Sequence, residues 1–124
     1  MKVGVIGCGN IADIYFKNSK QYFNNFEIVA CADIKEEASK IFAEKYNVRQ
    51  LSVEDILADN DIECIINLTI PNVHYDVSKS ILESKKHSYS EKPLSIEFDD
   101  GKKLNEIAKN NNLYVGCAPD TFLG

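Results

Sequence analysis

Apolar runs and helix-period segments alternate from one end of the chain to the other. Residues 2–6 (KVGVI) form a short apolar run suited to a buried strand. A helical pattern follows Gly9, with Ile11, Tyr15, Ser19 and Tyr22 marking its inner face. Residues 26–32 are a continuous apolar strand, and 35–46 form a helix whose Ala38, Ile41 and Phe42 fall at helical spacing with charges between them. Residues 49–51 supply a short third strand.

Ser52, with Asp55 three residues later, reads as an N-cap and acidic first turn, opening a short helix through Ala58. Residues 64–68 are the fourth strand. Val73, Val77 and Ile81 then recur every four residues as the inward stripe of a helix. It ends near Lys85 and Lys86, where cations suit the helix dipole. Residues 87–91 are strand five. Ser95 caps a last helix with Asp99 and Asp100 early and Lys109 late, and 113–117 are strand six. Strands apolar enough to be buried on both faces, separated by helices, imply parallel pairing through right-handed crossovers. The expected architecture is therefore a single α/β domain, a doubly wound parallel sheet of order 3-2-1-4-5-6. Its crevice opens at the carboxyl ends of strands one and four.

The segment Gly7-Cys8-Gly9-Asn10-Ile11-Ala12 lies between the first strand and the first helix, where a dinucleotide fingerprint belongs. Gly7 permits a tight turn, Gly9 lets backbone amides approach a pyrophosphate, and the small Ala12 lets helix and strand pack closely. The helix N-terminus then meets phosphate charge with its positive end. A plain strand-to-helix turn is the competing reading. Asp33 closes the second strand about 20 residues later, where a carboxylate accepts hydrogen bonds from the adenosine ribose. That position favours NAD over NADP, with NADP left possible because neighbouring Lys35 offsets part of the repulsion of a 2′-phosphate. A solvated turn aspartate is the alternative there.

The chain has 124 residues, 44% of them hydrophobic, enough for one core. A net charge of −5 without a basic cluster argues against nucleic acid or an anionic membrane as partner. No apolar stretch resembles a signal peptide or a membrane span, so a cytoplasmic protein is expected. Cys8, Cys31, Cys64 and Cys117 are far apart and mostly within strand-like runs, as core residues are. His74 and His87 have no ligand spacing against them, and no metal is expected. His87, at a strand start, reads as structural.

Five ordered segments resemble the amino-terminal domain of the Gfo/Idh/MocA oxidoreductases, the group related to glucose-fructose oxidoreductase and inositol dehydrogenase. They are the Gly7 turn, 29–33 (VACAD), 67–74 (NLTIPNVH), 87–93 (HSYSEKP) and 118–124 (APDTFLG). The resemblance implies hydride transfer between a nicotinamide and a hydroxyl or carbonyl carbon, often of a sugar or polyol. It implies that Lys92 is catalytic and contacts the cofactor, that Glu91 contacts the nicotinamide end, and that Thr69, Pro71, Asn72 and His74 line the cofactor. Gly7, Gly9, Asn10, Ile11 and Asp33 complete the binding set. From the residues alone, Glu91 and Lys92 read as a surface ion pair, and His74 equally as a structural histidine.

Relatives carry a second α/β domain that supplies most substrate contacts and the main oligomer interface. Residues 1–118 are accordingly expected to be the NAD(P)-binding domain and 119–124 the start of a connection. The 124 residues alone are expected to bind cofactor without turnover, within a homo-oligomeric full-length enzyme. A non-catalytic regulatory module, an NAD-dependent glycoside hydrolase of the same family and a methyltransferase fold are the alternatives. Two positions depart from the family pattern: Ile70, where many members have proline, and Lys85, where glycine commonly ends the helix. A left-handed cap at Lys85 carries a steric cost.

Overall fold

A β-branched and aliphatic run with no charge, such as VGVI or CII, is stable only between two covering layers. The computed structural model places those runs at the centre of a parallel sheet. It describes residues 1–9, 11–22, 26–90 and 98–117, with the side chains of 19–22, 71, 98 and 117 left out. The strands are β1 (Lys2–Ile6), β2 (Glu27–Ala32), β3 (Arg49–Gln50), β4 (Cys64–Asn67), β5 (His87–Ser90) and β6 (Val115–Cys117). The helices are α1 (Ala12–Tyr22), α2 (Glu36–Tyr46), α3 (Val53–Ala58), α4 (His74–Glu83) and α5 (Phe98–Asn110). The sheet order is β3-β2-β1-β4-β5-β6, all parallel, as the alternating pattern predicts.

Alternation along β1 separates the two layers. Val3 and Val5 join Ala12, Phe16, Phe42 and Tyr46 under α1 and α2, while Ile6 joins Ile56, Ile62, Ile65 and Ile81 under α3 and α4. The β1–β2 register slips by one residue between Val3 and Gly4. Ile28 and Cys31 therefore share the first layer, with both Val29 and Ala30 turned to the second. Leu82, Leu104 and Ala108 join α4 to α5 over the far end of the sheet.

Three expectations are corrected. On α1 the inward residues are Ala12 and Phe16, with Tyr15 beside them, whereas Ile11 lies before the helix and is exposed; the Ser19 and Tyr22 side chains fall outside the description. Ile41 is 59% exposed, and α2 instead buries Ser39, Phe42, Ala43 and Tyr46. The reason is the aromatic stack of Phe16 on Tyr46, with ring centroids 4.7 Å apart, which sets the rotation of both helices. Lys86 does not serve the α4 dipole: it is 4% exposed, and its Nζ donates to the carbonyls of Asp59 at 2.5 Å and Ile62 at 2.9 Å. Strand ends differ by a residue or two, and Leu51, Leu68 and Leu113 lie beyond the ladders. Ser52 caps α3 as expected, its Oγ accepting from Asp55 N at 3.0 Å. Ser95 and Glu91 lie outside the described residues. No helix among them is long and apolar enough to cross a membrane.

Candidate cofactor site

A strand-order reversal leaves a gap at the sheet's carboxyl edge, because the crossovers on either side of it run in opposite directions. Here β1 and β4 flank that gap, and three loops converge on it. The first is the glycine turn. Gly7 has φ of +105°, and a Cβ added there would stand 2.6 Å from the Leu68 carbonyl carbon. Only glycine satisfies both limits. Gly9 is different: among the described residues a Cβ there would meet nothing within 4 Å. None of the described residues requires glycine at that position, and the opening it leaves suits a group from outside the chain, as the fingerprint demands of its second glycine.

The turn is pinned from both sides. Gly7 N donates to Ala32 O at 2.8 Å, and Leu68 N to Ile6 O at 2.8 Å. Cys8 N donates to Asp33 Oδ2 at 2.7 Å, while Lys35 N donates to Asp33 Oδ1 at 2.8 Å. Asp33 thus ties the end of β2 to the glycine turn and remains half-buried, each carboxylate oxygen keeping a lone pair for a further donor. The Cys8 thiol is held protonated by the Cys31 thiol, by burial and by the Asp33 charge. Burial alone pushes the Cys64 thiol up to about 11. These three cysteines are free thiols.

The β4–α4 loop is organised by Asn67, a residue absent from the expected binding set. It is fully buried at the end of β4. Its Nδ2 donates to His74 O at 3.1 Å and to Ser78 Oγ at 2.9 Å, and its Oδ1 accepts from Thr69 N at 3.2 Å and Thr69 Oγ1 at 2.6 Å. His74 is 1% exposed, and its Nε2 bonds the Thr69 carbonyl. A carbonyl only accepts, so Nε2 carries the proton. His74 therefore shapes the Thr69 turn from below. The signal for Asn67 was available: an amide closing an otherwise apolar, buried strand requires partners.

Asn72, Ile34 and Ile70 are exposed around this edge. Beyond Asp33 a recess of about 450 Å³ opens between the ends of β2 and β3, walled by Ile34, Leu51 and Val53 and bordered by Asp33, Glu36 and Glu54. That volume is within the range of small-molecule sites. Asn10, Glu91 and Lys92 lie outside the described residues, as does the side chain of Pro71.

A family described as an oxidoreductase family with an NAD-binding Rossmann fold matches residues 1–118. The chain belongs to the Gfo/Idh/MocA oxidoreductases. Among relatives of this Gfo/Idh/MocA chain, an oxidoreductase of Schizosaccharomyces pombe is 33% identical over 119 residues, covering 93% of this chain and 32% of its own length. The myo-inositol 2-dehydrogenase of Thermotoga maritima is 27% identical, with 93% of this chain and 35% of the relative covered. Among solved structures, the WlbA dehydrogenase from Chromobacterium violaceum, in complex with NADH and UDP-GlcNAcA, superposes with a TM-score of 0.87 at 26% identity. The match covers 95% of this chain and 34% of that one. The chain thus spans about a third of the length of these relatives.

Proposed function

We propose that this chain is the cofactor half of an oxidoreductase that moves a hydride between a nicotinamide and a CH–OH or carbonyl carbon of a sugar, polyol or related metabolite. The bond from Cys8 N to Asp33 carries the reading, because it locks the pyrophosphate turn and the ribose-binding carboxylate into one unit. Gly7, Gly9, Asn10 and Ile11 hold the pyrophosphate, Asp33 the adenosine ribose, and Thr69, Pro71 and Asn72 the nicotinamide side. His74 supports Thr69 through its carbonyl. NAD is the preferred dinucleotide, since a 2′-phosphate beside Asp33 meets like charge.

Bound there, the nicotinamide supplies the hydride acceptor or donor. Lys92, with Glu91 beside it, is assigned by family resemblance to the substrate end. Its ammonium hydrogen-bonds the substrate oxygen and assists loss of the hydroxyl proton as the carbonyl develops. Inositol dehydrogenase and nucleotide-sugar dehydrogenase relatives support a hydroxylated small-molecule substrate. We assign residues 1–118 to the cofactor domain and 119–124 to a connection. Substrate contacts and the oligomer interface belong to the part of the relatives this chain does not span, so the 124 residues bind cofactor without turnover. Reduced cysteines suit the cytoplasm.

Lys92→Ala in the whole protein tests the assignment. Turnover with NAD and a panel of polyols and sugars is expected to fall by a factor of about 100 or more, within the range of general acid–base catalysis, while NADH binding stays within about threefold. Unchanged turnover would remove Lys92 from the chemistry and favour a regulatory nucleotide-binding module.

A further inference from the structure

The recess beside Asp33 is more acidic than ribose binding requires. Asp33 comes from the β2 end, Glu36 from the first turn of α2 and Glu54 from α3, so three elements each bring one carboxylate to its lining. They do not converge on a cation, since no three-residue cluster able to hold a metal exists among the described residues. Asp33 also differs from the other two. Its oxygens already accept two backbone amides, from Cys8 and Lys35, which stabilise its charge. Glu36 and Glu54 are exposed at helix starts, and among the described residues neither forms a side-chain ion pair. Lys35 lies two positions after Asp33 but is not part of the lining.

We infer that Glu36 and Glu54 are specificity-determining residues for the dinucleotide, so that exclusion of a 2′-phosphorylated cofactor is shared among three carboxylates and persists when Asp33 loses its charge. The inference rests on the reading that places the adenosine ribose beside Asp33. A ribose diol is neutral and is tolerated by all three groups. A phosphate on its 2′ oxygen carries close to two negative charges and is repelled by each carboxylate bordering the recess. In a water-exposed cleft, each repulsion amounts to about three- to tenfold in affinity and weakens with salt.

The test is calorimetric titration of the 124-residue chain with NADH and with NADPH, for the parent, Asp33→Asn, the double variant Glu36→Gln/Glu54→Gln, and the triple variant. Circular dichroism monitors folding. The parent is expected to bind NADH more tightly. Asp33→Asn is expected to keep an NADH preference of about tenfold. The double variant is expected to raise NADPH affinity about tenfold with NADH affinity within about twofold, and 0.5 M salt to shrink that gain. The inference fails if Asp33→Asn alone equalises the two cofactors, or if the double variant leaves NADPH affinity unchanged while the parent still prefers NADH. A parent that binds both dinucleotides equally overturns the NAD reading of Asp33 as well, which separates the two failures.

Discussion

Gly7 and Gly9 look equivalent in sequence but face different constraints. At Gly7 a side chain meets a left-handed backbone and the Leu68 carbonyl together. Gly7→Ala is therefore expected to lower stability by about 2–4 kcal/mol, read from the urea midpoint. At Gly9 the space is open, so Gly9→Ala is expected to leave stability within about 0.5 kcal/mol while weakening NADH binding at least tenfold. Equal effects on stability would show that Gly9 serves the fold. Glycines and Asp33 were legible in the sequence because their conformational and charge demands are local and tied to one strand-turn-helix pattern. The partners of the buried Asn67 amide were not, since His74 and Ser78 reach it only once α4 has folded back over β4. Asn67→Ala orphans the Thr69 amide and is expected to cost about 2–3 kcal/mol, with a measurable loss of NADH affinity through the displaced turn.

Helix ends show how far an element can depart from its ideal sequence. Lys85 has φ of +66° just past Ser84, the cap of α4, the left-handed position that the departure from glycine made conspicuous. Its amide still bonds Leu82 O at 3.0 Å. Lys85→Gly is expected to raise stability by about 0.5–1 kcal/mol, since the exposed contact of Lys85 with Asn111 contributes little. Element order and sheet face were readable because strands and helices differ in period. The rotation of α1 and α2 was not, because it is fixed by Phe16, Phe42 and Tyr46 meeting between helices far apart in sequence. Lys86 was misread for the same reason.

At the α3–β4 corner near Lys86, the Arg49 guanidinium 2.6 Å from Asp59, helped by the Asp61 amide, holds the Asp59 carboxyl below its ordinary value of 3.8. A depressed folded value means that the pair's contribution is complete above the ordinary value and is lost as pH falls through the lower one. Arg49→Gln is thus expected to destabilise at pH 6, with the difference from the parent shrinking as pH falls below 3.8 in urea titrations. A constant difference across that range would contradict the pairing.

For the whole molecule, the strand order decides where function resides. Reversal between β1 and β4 brings the Gly7 turn, Asp33 and the Thr69 turn to one edge, although 62 positions separate Gly7 from Thr69 in the chain. That convergence was predictable from the alternation of strands and helices together with the handedness of crossovers. Lys92 stands apart, carried by family resemblance and by its place after β5. On the proposed reading, cofactor binding is separable from chemistry in this chain. The most direct measurement is titration of the 124 residues with NADH and NADPH, following nicotinamide fluorescence. Saturable NADH binding is expected, at least about tenfold tighter than that of NADPH and weakened at least tenfold in Gly9→Ala. A folded chain that binds neither dinucleotide, or NADPH as tightly as NADH, would contradict it.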